Sequence, residues 1–129
     1  MAINSTPIFT KAPELGPVEI ATANSSLTGS GTVGTAYTAG ADGAFVHRVW
    51  MKALVTTTAG MLRIFVYDGA AYWLLHEEPI PVVTKSATVP AWGGVWECRL
   101  RLEASHSIRV STEKAETFHV MAEAESLTS

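Results

Sequence analysis

The stretch VWECRLRLE (95–103) alternates without a fault, with Trp96, Cys98, Leu100 and Leu102 in one set and Glu97, Arg99, Arg101 and Glu103 in the other. A helix would scatter both sets around its circumference, whereas a period of two places one on each face of a strand. The same period recurs along the chain. VEIATA (18–23), TVGTAYTA (32–39), AFVHRVWMKALV (44–55), MLRIFVYDG (61–69), AAYWLLHEE (70–78), HSIRVST (106–112) and FHVMAEA (118–124) all read as short strands, spaced by turn signals such as SSLTGSG, GADG, TTTAG and Asp68-Gly69. In AFVHRVWMKALV the alternation assigns Phe45, Val49, Met51, Ala53 and Val55 to one face and Arg48 and Lys52 to the other. PIPVVTKSATVP (79–90) carries three prolines and reads as a loop or edge strand.

Eight or nine strands at this spacing, with no convincing helix, predict an all-β antiparallel fold, a sandwich or a barrel. A sandwich is preferred because each clean strand has a single apolar face, and a jelly roll is the commonest way to connect so many strands. STEKAE (111–116) could open a helix by composition, but it lies between two strand patterns. It is expected to be a hairpin loop with solvated charges.

Residues 1–16 differ from the rest. Pro7 and Pro13, with Pro17 just after, fix φ and remove donors, so this segment is expected to be an extended N-terminal arm preceding one sandwich domain over 17–129. The arm carries Ile8, Phe9, Lys11 and Leu15, apolar content that a merely solvated tail would not need.

Charge and cysteine usage exclude several functions. Charged residues make up 16% of the chain, against a usual value of about 25%. The net charge is −3 and no basic run occurs, which argues against phosphate-driven nucleic-acid binding. Cys98 is the sole cysteine, so neither an intrachain disulfide nor a cysteine metal site can form, and it is expected to lie buried. No secretory signal or apolar run of membrane-spanning length is present, so a soluble protein without a membrane partner is expected.

A search for chemistry finds little. HEEP (76–79) begins like the zinc-protease motif HExxH, but Ile80 stands where the second histidine must be, and the stretch reads as strand. Glu77 and Glu78 are adjacent and point to opposite faces of a strand, so they cannot act as a pair. His47, His106 and His119 show no carboxylate partner from spacing. The glycines of TGSGTVGTAYTAGADG match neither phosphate-loop pattern and read as turn residues. No catalytic residue, metal site or cofactor is expected, and hence no enzyme. Of the four tryptophans, Trp96 is expected in the core. Trp50, beside Arg48 and Lys52, and Trp92, in PAWGGV (90–95), are candidates for an exposed contact, with a protein interface first, a place in the core second and a sugar ring third.

The segments GTVGTAYTAGADGAFVHRVWMKALVTTTAGMLRIFVYDGAAYWLLHE (31–77) and RVSTEKAETFHVMAEA (109–124) resemble a group of small proteins encoded among the structural genes of tailed bacteriophages, chiefly through TTTAGMLRIFVYDG and STEKAE. No catalytic motif accompanies the group. The resemblance implies a virion component made in the host cytoplasm, specifically a head decoration (cement) protein. Such a protein would bind the major capsid protein on the outer capsid surface, often as a homotrimer. With the residues, it leaves three roles: capsid decoration, a tail or head-fibre component, and a glycan-binding module on the virion surface.

Overall fold

A computed structural model describes residues 9–128, in which the alternating segments pair into nine strands with no helix. They are β1 (Phe9–Ile20), β2 (Gly34–Thr38), β3 (Ala44–Ala53), β4 (Gly60–Tyr67), β5 (Tyr72–Ile80), β6 (Gly93–Trp96), β7 (Leu100–Leu102), β8 (Ser107–Thr112) and β9 (Phe118–Thr128). They form two antiparallel sheets packed as a sandwich. Sheet A runs β1-β9-β3-β6, with β7 also on β3, and sheet B runs β2-β8-β4-β5. The antiparallel pairs nest in sequence: β4·β5 lies inside β3·β6/β7, which lies inside β2·β8, which lies inside β1·β9. The tip of this nest is the Asp68-Gly69 turn. There Gly69 adopts φ +97°, and the Asp68 carboxylate accepts the N–H groups of Ala70 and Ala71 at 2.8 Å.

The inward faces follow the alternation. Val49, Met51, Phe118, Val120 and Ala122 from sheet A meet Leu62, Ile64, Ile108 and Val110 from sheet B, all at 2% exposure or less. Burying each large side chain of this kind contributes roughly 1.5–3 kcal/mol. The sheets close along the β1/β2 seam, where Gly16 sits so near β2 that an added Cβ would lie 1.9 Å from the Ala36 oxygen. The Tyr37 hydroxyl donates to Glu14 across this seam at 2.6 Å. Burial, reinforced by that carboxylate, pushes the phenol well above its ordinary pKa.

Several expectations change. The arm expected over residues 1–16 does not end where the sandwich begins. Phe9–Gly16 are part of β1, which pairs with β9 from Phe9↔Thr128 to Ile20↔Phe118. The prolines fit because β1 is an edge strand, where a missing donor costs no ladder bond. STEKAE is not a hairpin loop, since β8 belongs to sheet B and β9 to sheet A, and the loop crosses between layers. Its charges are engaged. Glu113 holds the buried Arg63 at 2.8 Å, and Glu116 accepts from the Thr58 backbone N–H and hydroxyl at 2.9 and 2.8 Å.

Phe45 faces outward and Val46 inward, because β3 carries a bulge between Val46 and Arg48 that reverses the alternation; Val55, past the end of β3, is 39% exposed. The fault-free run at 95–103 is split into β6 and β7. Arg99 turns to φ +47° and its N–H reaches the His47 oxygen at 3.1 Å, so the break faces the bulge. Cys98 is half-buried, with its thiol directed at the Val46 oxygen at 3.4 Å, and burial raises its pKa.

Candidate protein-contact face

The two outward faces of the sandwich differ. The outer face of sheet B is covered in part by its own chain, while on β5 Leu74 and Leu75 remain 37% and 38% exposed. Past β1 the connection 21–33 bridges Thr112 through Ala23 and lays Gly29 on the ring of Tyr72. Asn24 stiffens this connection by donating to the Ser30 and Thr32 oxygens at 2.7 and 2.8 Å. Around it Tyr72 packs against Tyr67 and Phe65, and the Arg109 guanidinium lies 4.6 Å from the Tyr67 ring. Phe65 is fully buried although it faces outward. Arg63 is also nearly buried on this face, held by Glu77 of β5 at 3.0 Å and by Glu113.

Sheet A has no such cover among the described residues. Across four of its strands the registers Pro17↔Met121, Trp50↔Met121 and Trp50↔Val95 align one apolar row, Pro17–Met121–Trp50–Val95. Trp50 is 47% exposed and Val95 40%. On one side runs the row Leu15–Glu123–Arg48–Glu97, in which Arg48 is clamped by Glu123 and by Glu97, whose two oxygens accept at 3.1 Å. The Glu97 bond is the largest influence raising the Arg48 pKa. The Trp50 indole N–H donates to the same Glu123 at 3.2 Å, so the ion pair also fixes the ring. On the other side lie Glu19–His119, bonded at 3.1 Å, and Lys52, which donates to the Ala91 oxygen. A groove of about 280 Å³ opens between Pro17, Glu19, His119 and Met121. The arrangement is an apolar strip with an aromatic centre and a polar rim, the anatomy of a protein interface.

Of the residues the sequence singled out, Ile8 lies outside the described residues, and Phe9 and Lys11 lie in β1. Leu15 is 61% exposed on the same outward face as Trp50, one row along and two strands away. Trp92 does not join them: it is half-buried and packs edge-on against Phe118 at the end of the core. Trp96 packs against the core and also stacks on His76 at 4.3 Å, tying the edge of sheet A to β5. Pro17, Met121 and Val95 escaped notice because their row exists only once four strands are in register. Trp73, 60% exposed at the hairpin tip, was also missed; it donates to Asp68 at 2.9 Å.

The histidines are not isolated. Glu125 lies 3.6 Å from His47, Glu103 3.8 Å from His106 and Glu19 3.1 Å from His119, the first and third brought in by β9 pairing. Glu77 and Glu78 do point to opposite faces, toward Arg63 and His76. Among the described residues no three His, Cys, Asp or Glu side chains converge as a metal would require. The larger surface groove, about 420 Å³ between the 85–91 loop and the end of β3, gathers no nucleophile–base pair.

No family model matches the chain, and no curated protein matches it. Among solved structures, it is similar to a chain of the cyanophage Pam1 capsid asymmetric unit, with 14% identity and a TM-score of 0.48 over 98% of this chain and 92% of that one. It is also similar to a chain of the IBDV viral particle, with 12% identity and a TM-score of 0.36 over 98% of this chain and 35% of that one.

Proposed function

We propose that this chain is a non-enzymatic structural protein of a phage virion, a head decoration protein that binds the outer surface of the capsid and stabilises joints between major capsid subunits. One observation carries the reading: the apolar row Pro17–Met121–Trp50–Val95, which lies open on sheet A, whereas the connection 21–33 packs over part of the outer face of sheet B. Low charge and the resemblance of residues 31–77 and 109–124 to tailed-phage virion proteins support the setting. The nesting of the four antiparallel pairs supports the finer fold reading, a jelly roll, in which one long ribbon folds over on itself.

Attachment through many weak contacts suits such a face, since each contact is small and the particle repeats it, so that avidity accumulates. The glycan reading loses the pairing of Trp50 with Trp92, because Trp92 packs on Phe118. Co-sedimentation with capsid shells that lack the protein tests the proposal. Wild-type chain should load onto shells, and Trp50→Ala should lower occupancy at least about tenfold at subsaturating concentration, as loss of a central aromatic typically does. Folded wild-type chain that leaves shells bare would overturn the reading. A tail or head-fibre role would show as incorporation into tails instead.

A further inference from the structure

We infer that the partner of the sheet A face is a second copy of this chain, related by a twofold axis parallel to the strands and passing between β9 and β3. The inference rests on the reading of that face as a protein-contact surface, and it makes the pair the unit that loads onto the shell, so that Trp50→Ala lowers shell occupancy by breaking the pair. It follows from the three cross-strand rows. A twofold in that direction exchanges β9 with β3 and β1 with β6, and returns each row to itself.

In the central row, Trp50 then lies on Met121 of the second copy and Pro17 on Val95. The first of these is a sulfur–aromatic contact, which is favourable beyond its area. In the next row Arg48 meets Glu123 of the second copy, cation on anion. In the third, Lys52 meets the His119–Glu19 pair, whose net charge is zero or negative in either state of the imidazole. No like charges are set together. A twofold running across the strands would instead press Arg48 against Lys52.

The size of the patch is that of a weak contact. Four strands ~4.8 Å apart and three rows ~6.7 Å apart make a face of about 19 by 20 Å, or ~400 Å² per copy. The ~800 Å² removed in total falls below the roughly 1,200–2,000 Å² of stable interfaces. Sheet twist keeps the outer rows from adding much. The pairing is therefore weak in free solution, with a Kd on the order of 0.1 mM or above. It becomes significant where a particle surface holds copies side by side.

The decisive experiment is a cross-link. Pro17→Cys and Val95→Cys are introduced together on a Cys98→Ser background and treated with a short bis-maleimide, which spans the ~10 Å between stacked sheets that a directly formed disulfide, needing Cα atoms within about 7 Å, would not. Within one chain the two positions are three strand spacings apart, ~14 Å, with Trp50 and Met121 between them. Across the proposed axis they face each other. The expected product is a covalent dimer of twice 13.8 kDa, with little from either single variant. In sedimentation, the uncross-linked wild-type chain should rise toward dimer mass between ~10 μM and ~1 mM, and Trp50→Ala should weaken this at least tenfold. A folded double variant that stays at one chain, single variants that cross-link equally well, or a wild-type mass of three chains would each overturn the twofold. Shell binding without the cross-link would overturn the pairing and leave the virion reading; the cross-link without shell binding would do the reverse.

Discussion

Replacing Arg63 with alanine should be among the most damaging single changes that leave the apolar core intact. Arg63 lies on β4, a central strand of sheet B, and its side chain is 8% exposed. It binds Glu77 of β5 at 3.0 Å and Glu113 at the start of the β8–β9 crossover at 2.8 Å, so one guanidinium ties an edge strand and an inter-sheet loop to the middle of the sheet. Removing one member of a buried ionic group costs about 3–5 kcal/mol, because the remaining charges stay desolvated and unpaired. Here the glutamates are 41% and 30% exposed, and water partly rehydrates them, which moves the expectation to the lower end, about 3 kcal/mol. The Arg63 Nη1 and the Ser111 Oγ, on cross-strand partners, have no protein hydrogen bond. Part of the native site is therefore already costly. Arg63→Met strands the same two glutamates and restores only the packing of the side-chain stem, so it should cost within about 1 kcal/mol of Arg63→Ala. Urea unfolding of the three proteins, with m-values compared to confirm a common transition, reads both differences. Arg63→Ala costing under about 1 kcal/mol, or Arg63→Met recovering most of the loss, would refute the view that stranded charge dominates.

Gly16→Ala should destabilise by about 3 kcal/mol or more, measured as a fall in denaturation midpoint, because the new Cβ meets the Ala36 backbone oxygen rather than a movable side-chain end. The Asp68 carboxylate is held down to a pKa of about 2, first by the Ala71 N–H and then by the Trp73 indole and the Ala70 N–H. Its contribution is thus fully present above the ordinary carboxylate pKa near 3.8 and is lost as pH falls toward about 2. Trp73 fluorescence, isolated by its difference from Trp73→Phe, should stay constant from pH 8 to about 4.5 and change below that; a transition centred near pH 4 or higher would count against the turn geometry. The Cys98 thiol, raised by burial, should react with a thiol reagent at pH 7.5 at least about tenfold more slowly than free cysteine, and faster modification would show that the β6–β7 break opens readily.

The sequence alone determined that the chain is all-β, with about nine strands, and which residues of most strands face inward. Hydrophobic alternation is a local signal, and at Phe118–Ala124 and Ile108–Val110 nothing intervenes between pattern and burial. It also determined the Asp68-Gly69 hairpin, whose geometry is set by the turn residues themselves. Tertiary structure decided whatever depended on which strands become neighbours. The bulge at His47 reversed the face of Phe45, because an extra residue in a ladder is defined by its partner strand. STEKAE reads as a hairpin loop and GADG as a turn in sequence, and each carries the chain from one sheet to the other. Residues 9–16, proline-marked as an arm, became the outer strand of sheet A because β9 offered them a long unpaired edge. The candidate contact face lies between these cases. Trp50 and Leu15 were visible as apolar residues in polar company. The row that gives Trp50 its neighbours joins residues 17, 50, 95 and 121, and no local pattern links positions so far apart in the chain. Alternation fixes the face of a residue on its own strand, whereas its neighbours across strands depend on register, which long-range pairing sets.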